Sequence, residues 1–173
     1  MDDLQRCLRA SLAAEALQRT GRLAMRVWGT SMLGAIWPGD EVVFEICQPA
    51  EVELCDVLLY RRDDRLVVHR VIQISPLGEA LEFRTRGDNQ RGCDLPVSAE
   101  EILGRAVLVQ RANRAPDRIA QRRSRATKLL SCLTSRSTLV CELVLRLHAA
   151  FEWLLCICSS EPRHGHGSLE AQS

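Results

Sequence analysis

Apolar residues recur at helical spacing at the start of the chain. Leu4, Leu8, Leu12, Ala16 and Leu17 form one stripe, which predicts an amphipathic helix over residues 3–20, stopped by Gly21. The pattern then changes to alternation. Leu23 to Trp28 reads as a strand, followed by a turn at Ile36-Trp37-Pro38-Gly39-Asp40. Further strands are predicted over 41–46, 56–61, 66–74, 80–86 and 104–110. Asp63-Asp64, Pro76-Leu77-Gly78 and Gly87-Asp88-Asn89-Gln90 punctuate them, and Ser98 is placed to cap a short helical turn. Short strands at regular intervals predict a mainly β fold, an antiparallel barrel or curled sheet. Beyond Ala115-Pro116 the texture alters. Residues 118–133 are basic and helix-permissive, and Val140, Leu143, Val144, Leu147, Phe151, Leu154 and Leu155 return to helical spacing. From Ser159 the tail is polar, and disorder is expected there.

Composition refines this outline. With 46% hydrophobic and 26% charged residues, 173 positions suffice for one core with appendages. The net charge of +1 hides an asymmetry. Residues 114–136 carry seven Lys/Arg against Asp117 alone, a block suited to acidic partners such as lipid headgroups. Nucleic acid is disfavoured, because the block lacks the interleaved aromatics of single-strand binders. The eight cysteines follow an acidic, polar start with no signal peptide, so thiols are expected. Cys156 and Cys158 with His164 and His166 fit no common zinc spacing, and neither a metal nor a cofactor is expected. The most apolar stretch, 139–158, is interrupted by Glu142, Arg146, His148 and Glu152, which excludes a membrane span. The expected location is cytoplasmic or peripheral to a membrane.

Three segments carry candidate chemistry. Gly29-Thr30-Ser31-Met32 offers a hydroxyl, Val67-Val68-His69-Arg70 an imidazole, and Arg86-Gly87-Asp88 with Asp94 a choice of carboxylates. A serine hydroxyl is a poor nucleophile at neutral pH. It needs a base that titrates nearby and a carboxylate that orients the base. Each residue alone has a plainer meaning: a turn serine, a core histidine, a turn aspartate. In combination they predict acyl transfer at Ser31 with His69 as base and either Asp94 or Asp88 behind it.

These blocks, with Pro38-Gly39-Asp40, Asp56-Val57-Leu58-Leu59-Tyr60, Thr85-Arg86-Gly87-Asp88-Asn89 and Leu103-Gly104-Arg105, resemble the signal peptidase I and SOS-repressor (LexA-like) serine peptidase superfamily. The resemblance covers roughly residues 22–110 and implies its curled antiparallel β-barrel. Part of that superfamily uses a serine-lysine dyad. The endoplasmic-reticulum and archaeal-type signal peptidases have histidine at the lysine position. Here the sole lysine is Lys128, in the basic block, and His69 stands where the base belongs. The resemblance makes Ser31 the nucleophile and His69 the base, and it favours Asp94 over Asp88 for the third position. It also puts Thr30 and Met32 beside the substrate, with core packing as the alternative for Met32. Asp40 and Asp56 are structural in the family.

Three departures stand out. Gly29 lacks the hydroxyl that many signal peptidases use as an oxyanion donor two residues before the nucleophile. Gly34 replaces a proline and loosens the nucleophile loop. Cys55 replaces the glycine before Asp56. The expected organisation is an N-terminal helix (1–21), a peptidase domain (22–113), a basic then amphipathic helical extension (114–158) in peripheral membrane contact, and a tail (159–173). The expected function is a serine endopeptidase acting on polypeptides. The alternative is a weak or inactive peptide-binding module on the same fold. A self-processing DNA-bound regulator is disfavoured, since the roughly 22 residues before the domain are too few for a helix-turn-helix.

Overall fold

The computed structural model describes residues 3–78, 80–111, 115–119 and 142–151. Helix α1 (Asp3–Thr20) has the expected bounds, but of the expected stripe Leu17 alone is fully buried. Ala10, Ala13 and Leu17 are buried, whereas Leu4, Leu8 and Leu12 are 77%, 56% and 54% exposed. Gly21 ends the helix, its N–H bonded to Leu17 O at 2.8 Å.

The strands are β1 (Arg22–Arg26), β2 (Glu41–Glu45), β3 (Val57–Arg62), β4 (Arg65–Leu77), β5 (Ala80–Arg86), β6 (Val97–Ser98), β7 (Ile102–Gln110) and β8 (Asp117–Arg118). They form one antiparallel sheet in the order β1-β2-β7-β3-β4-β5-β6, with β8 added on β7. The sheet is open and curled, in line with the expected curled antiparallel β fold. Register shifts at Val43/Phe44, Leu59/Tyr60 and Val71/Gln73 supply the curl, because a bulge bends its strand and sharpens the local twist. Arg118 pairs with Leu108 in β8 rather than opening a helix. Residues 142–151 form a short helix, α2. The rest of the basic and amphipathic extension, the tail, and the Cys156/Cys158/His164/His166 group lie outside the described residues.

Strand β3 is apolar on both faces and separates two cores. Val57 and Leu59 join Leu17, Met32, Ile36, Val42, Phe44, Ala106 and Val109 on one side. Leu58 and Tyr60 join Val52, Val71, Phe83 and Val97 on the other. Alternate residues of a strand point to opposite faces, so the parity that buries Val71 and Phe83 also aims His69 and Thr85 to the second side.

Two equivalent turns launch β2 and β3. Asp40 Oδ2 accepts the Trp37 N–H at 2.8 Å and an Arg111 Nε–H at 3.2 Å. Asp56 Oδ2 accepts the Glu53 N–H at 2.9 Å and an Arg105 N–H at 3.1 Å. The third turn residue has φ +94° at Gly39 and +77° at Cys55. That left-handed conformation is the reason a glycine suits the position before each aspartate, and Cys55 occupies it under strain.

Candidate active site

His69 lies in β4, paired with Leu58 of β3, and is 6% exposed. Its Nδ1 is 2.7 Å from Asp94 Oδ2. Asp94 arrives on the segment between β5 and β6, where its N–H donates to Thr85 O at 2.9 Å. Thr85 Oγ1 donates to the same Asp94 Oδ2 at 2.6 Å, and the Tyr60 hydroxyl lies 3.2 Å from it. Tyr60 OH and Thr85 Oγ1 are themselves 3.1 Å apart. Behind Asp94, Arg62 donates to Leu95 O at 2.8 Å and Pro96 O at 2.6 Å. The same guanidinium is paired with Glu101 and sits 5.6 Å over the Tyr60 ring. Burial pushes the Tyr60 phenol up to about 12; the contact with the Thr85 hydroxyl opposes this and the Asp94 charge adds to it.

The two carboxylates that the sequence leaves open have separate surroundings. Asp88 is buried and grips Arg70 through both oxygens, at 3.0 Å to Nε and 2.9 Å to Nη2. Arg70 also donates to Cys55 O at 2.8 Å, which ties the strained turn to this ion pair. Asp94 is the carboxylate that contacts His69, and Asp88 braces the loop that carries it.

Ser31 sits in the turn after β1. Its carbonyl accepts the Asn89 N–H at 2.7 Å, and the Asn89 side chain donates to Thr30 O at 3.2 Å. Gly87 lies between the Ser31 loop and His69: a Cβ there would be 2.7 Å from Ser31 O and 3.0 Å from His69 Nε2. Both atoms therefore border one small volume, which stays open because residue 87 lacks a side chain. No hydrogen bond joins Ser31 Oγ to His69, and the Ser31 N–H is likewise unbonded among the described residues. A Cβ at Gly29 would stand 4.0 Å from Ser31 Oγ, so a side chain at residue 29 would border the Ser31 hydroxyl.

The loop also explains Gly34. Its φ of +98° is closed to proline, so this turn follows a path that requires glycine rather than one merely loosened by it. Met32, expected beside substrate or in the core, is 2% exposed and packs with Leu17 and Ile36. Thr30 is exposed. It borders a cavity of about 560 Å³ shared with Trp28, Pro38, Arg111, Leu145 and His148. Helix α2 reaches this wall through His148, stacked on Trp37 with centroids 4.0 Å apart. The volumes of about 640 Å³ around Arg105 and about 450 Å³ around Arg6 and Leu66 lie elsewhere. Among the described residues no three His, Cys, Asp or Glu side chains converge as a metal site, and no helix is long and apolar enough to cross a membrane.

Sequence reasoning missed Tyr60, Thr85, Arg62 and Asn89. Thr85 carried a signal: it is a hydroxyl in register with Leu81 and Phe83, on the apolar side of β5. Tyr60 is the only tyrosine in the chain and ends an apolar run.

Comparison with known proteins adds one finding. A stretch of 63 residues is 36% identical to signal peptidase I W of Bacillus subtilis strain 168. The similarity is to a signal peptidase I. It spans 35% of this chain and 33% of that protein, so the chain covers about a third of the curated relative it matches. No family model matches the chain.

Proposed function

We propose that this protein is a serine-type endopeptidase of the signal peptidase I kind, in its serine-histidine form. Ser31 attacks the scissile carbonyl, His69 takes its proton and returns it to the leaving amine, and Asp94 holds the imidazole. The observation that carries the proposal is the His69 Nδ1–Asp94 contact of 2.7 Å, with Nε2 turned to the Gly87 gap beside Ser31. An Nδ1–H donated to a carboxylate fixes the tautomer whose Nε2 lone pair can accept a proton. The unbonded Ser31 N–H is the first donor for the oxyanion. The signal peptidase similarity supports a polypeptide substrate, and Lys128 as the sole lysine supports a histidine base.

A fluorophosphonate probe tests this directly. Wild-type protein is expected to be labelled at Ser31, and Ser31→Ala and His69→Ala are expected to abolish labelling. Equal silence of wild type and both variants would reject the enzyme. A second reading is peptide capture without turnover on the same fold. The unformed Ser31–His69 hydrogen bond and Gly29 favour it, and peptide binding unchanged in His69→Ala would establish it.

A further inference from the structure

The proton count around Asp94 assigns a task to two hydroxyls outside the Ser31–His69–Asp94 set. Thr85 is 0% exposed and Tyr60 1%, so neither hydroxyl is served by bulk water. Each owns one proton. The Thr85 proton is committed to Asp94 Oδ2 in the shorter contact of 2.6 Å. Thr85 Oγ1 is then an acceptor toward Tyr60, whose proton is shared between Thr85 Oγ1 at 3.1 Å and Asp94 Oδ2 at 3.2 Å. His69 Nδ1 approaches the same oxygen at 2.7 Å. One carboxylate oxygen thus collects three donors from three strands or their ends.

We propose that Thr85 and Tyr60 are positioning residues that act on His69 through Asp94. They hold Asp94 Oδ2 in line with Nδ1 and supply fixed donors to the carboxylate, so that the imidazole keeps its proton on Nδ1 and its lone pair on Nε2. Donors to a carboxylate favour its charged form, and a carboxylate fixed in one rotamer is an oriented acceptor for the ring. Tyr60 suits this part because its raised pKa keeps the phenol a donor throughout the neutral and mildly alkaline range. Arg62 completes the scaffold by holding Leu95 O and Pro96 O, the two carbonyls that follow residue 94. This inference rests on the peptidase proposal only for its consequence in catalysis. The effect on the imidazole tautomer stands apart from it.

The experiment uses the full chain with 15N-labelled histidine and follows both ring nitrogens of His69 above neutral pH, assigned by loss of the signals in His69→Ala. Wild type is expected as the Nδ1–H tautomer. Thr85→Val, nearly isosteric, is expected to give a tautomer mixture, with Thr85→Ser restoring the wild-type pattern and Tyr60→Phe giving a smaller shift. In acylation kinetics the expected loss in Thr85→Val is roughly 10- to 100-fold in kcat with KM unchanged, as for a hydrogen bond to a charged group. An unchanged tautomer in Thr85→Val and Tyr60→Phe, both folded as judged by circular dichroism, would overturn the inference even if the enzyme is active. Should wild type lack peptidase activity while the tautomer still shifts, the positioning role stands and the peptidase proposal falls.

Discussion

Gly87 offers the sharpest test of how the Ser31 loop meets the imidazole. Its φ lies outside the left-handed region, so Gly87→Ala imposes no backbone strain and acts by bulk alone. The added carbon would stand 2.7 Å from Ser31 O and 3.0 Å from both His69 Nε2 and Gln90 Oε1. Ordinary contact needs about 3.5 Å or more, so something must move by roughly 0.5–1 Å. Ser31 O is pinned by the Asn89 N–H, and His69 by Asp94, so neither yields without losing a hydrogen bond. Overpacking of this kind costs roughly 1–3 kcal/mol. A misplacement of about 1 Å at reacting atoms costs on the order of 100-fold in rate. The assay is the second-order rate of fluorophosphonate labelling, paired with thermal unfolding. Gly92→Ala is the control, since a Cβ there meets nothing within 4 Å. If Gly87→Ala is labelled as fast as Gly92→Ala and melts at the same temperature, the proposed closeness of nucleophile loop and base is refuted.

The two acidic candidates should separate by assay. Asp88→Ala strands the buried Arg70 guanidinium and is expected to destabilise by roughly 3–5 kcal/mol in urea unfolding. Asp94→Ala, whose side chain is 20% exposed, is expected to cost less stability but roughly 1,000-fold or more in labelling rate. Cys55→Gly relieves a left-handed cysteine at φ +77° and should stabilise by roughly 1 kcal/mol, read as a higher melting temperature. Tyr60 gives a pH signature. Its folded pKa of about 12 exceeds the unfolded value near 10, so its contribution is complete below about pH 10 and is lost as pH rises toward 12. Chemical denaturation should therefore show an alkaline loss of roughly 2–3 kcal/mol that Tyr60→Phe lacks.

Much of the strand ladder was legible because alternation and turn residues agree along it. The bounds of β5 and the cap at Ser98, where Glu101 answers the Ser98 N–H at 2.8 Å, follow from local chemistry alone. The docking face of α1 was not legible. Helical spacing grouped Leu17 with Leu4, Leu8 and Leu12, whereas the buried face runs through Ala10, Ala13 and Leu17, and alanines give little hydrophobic signal. Of the candidate site, Ser31, His69 and the pair Asp88 and Asp94 could be named from residue type and order. The division of labour between Asp88 and Asp94 could not, because it depends on which one Arg70 reaches across the sheet. Gly34 looked like a flexible replacement for proline, and a positive φ is invisible without coordinates. Tyr60 and Thr85 gain meaning only once β3 and β5 flank β4.

The Asn89 clasp bridges 59 residues of chain to reach Thr30. During synthesis Ser31 leaves the ribosome long before the segment that seats it, and long-range closures of this kind form late. Under the proposed function, a nascent chain carries no seated Ser31 until the Asn89 segment has folded against it. Partial unfolding that opens the clasp would unseat Ser31 without any inhibitor.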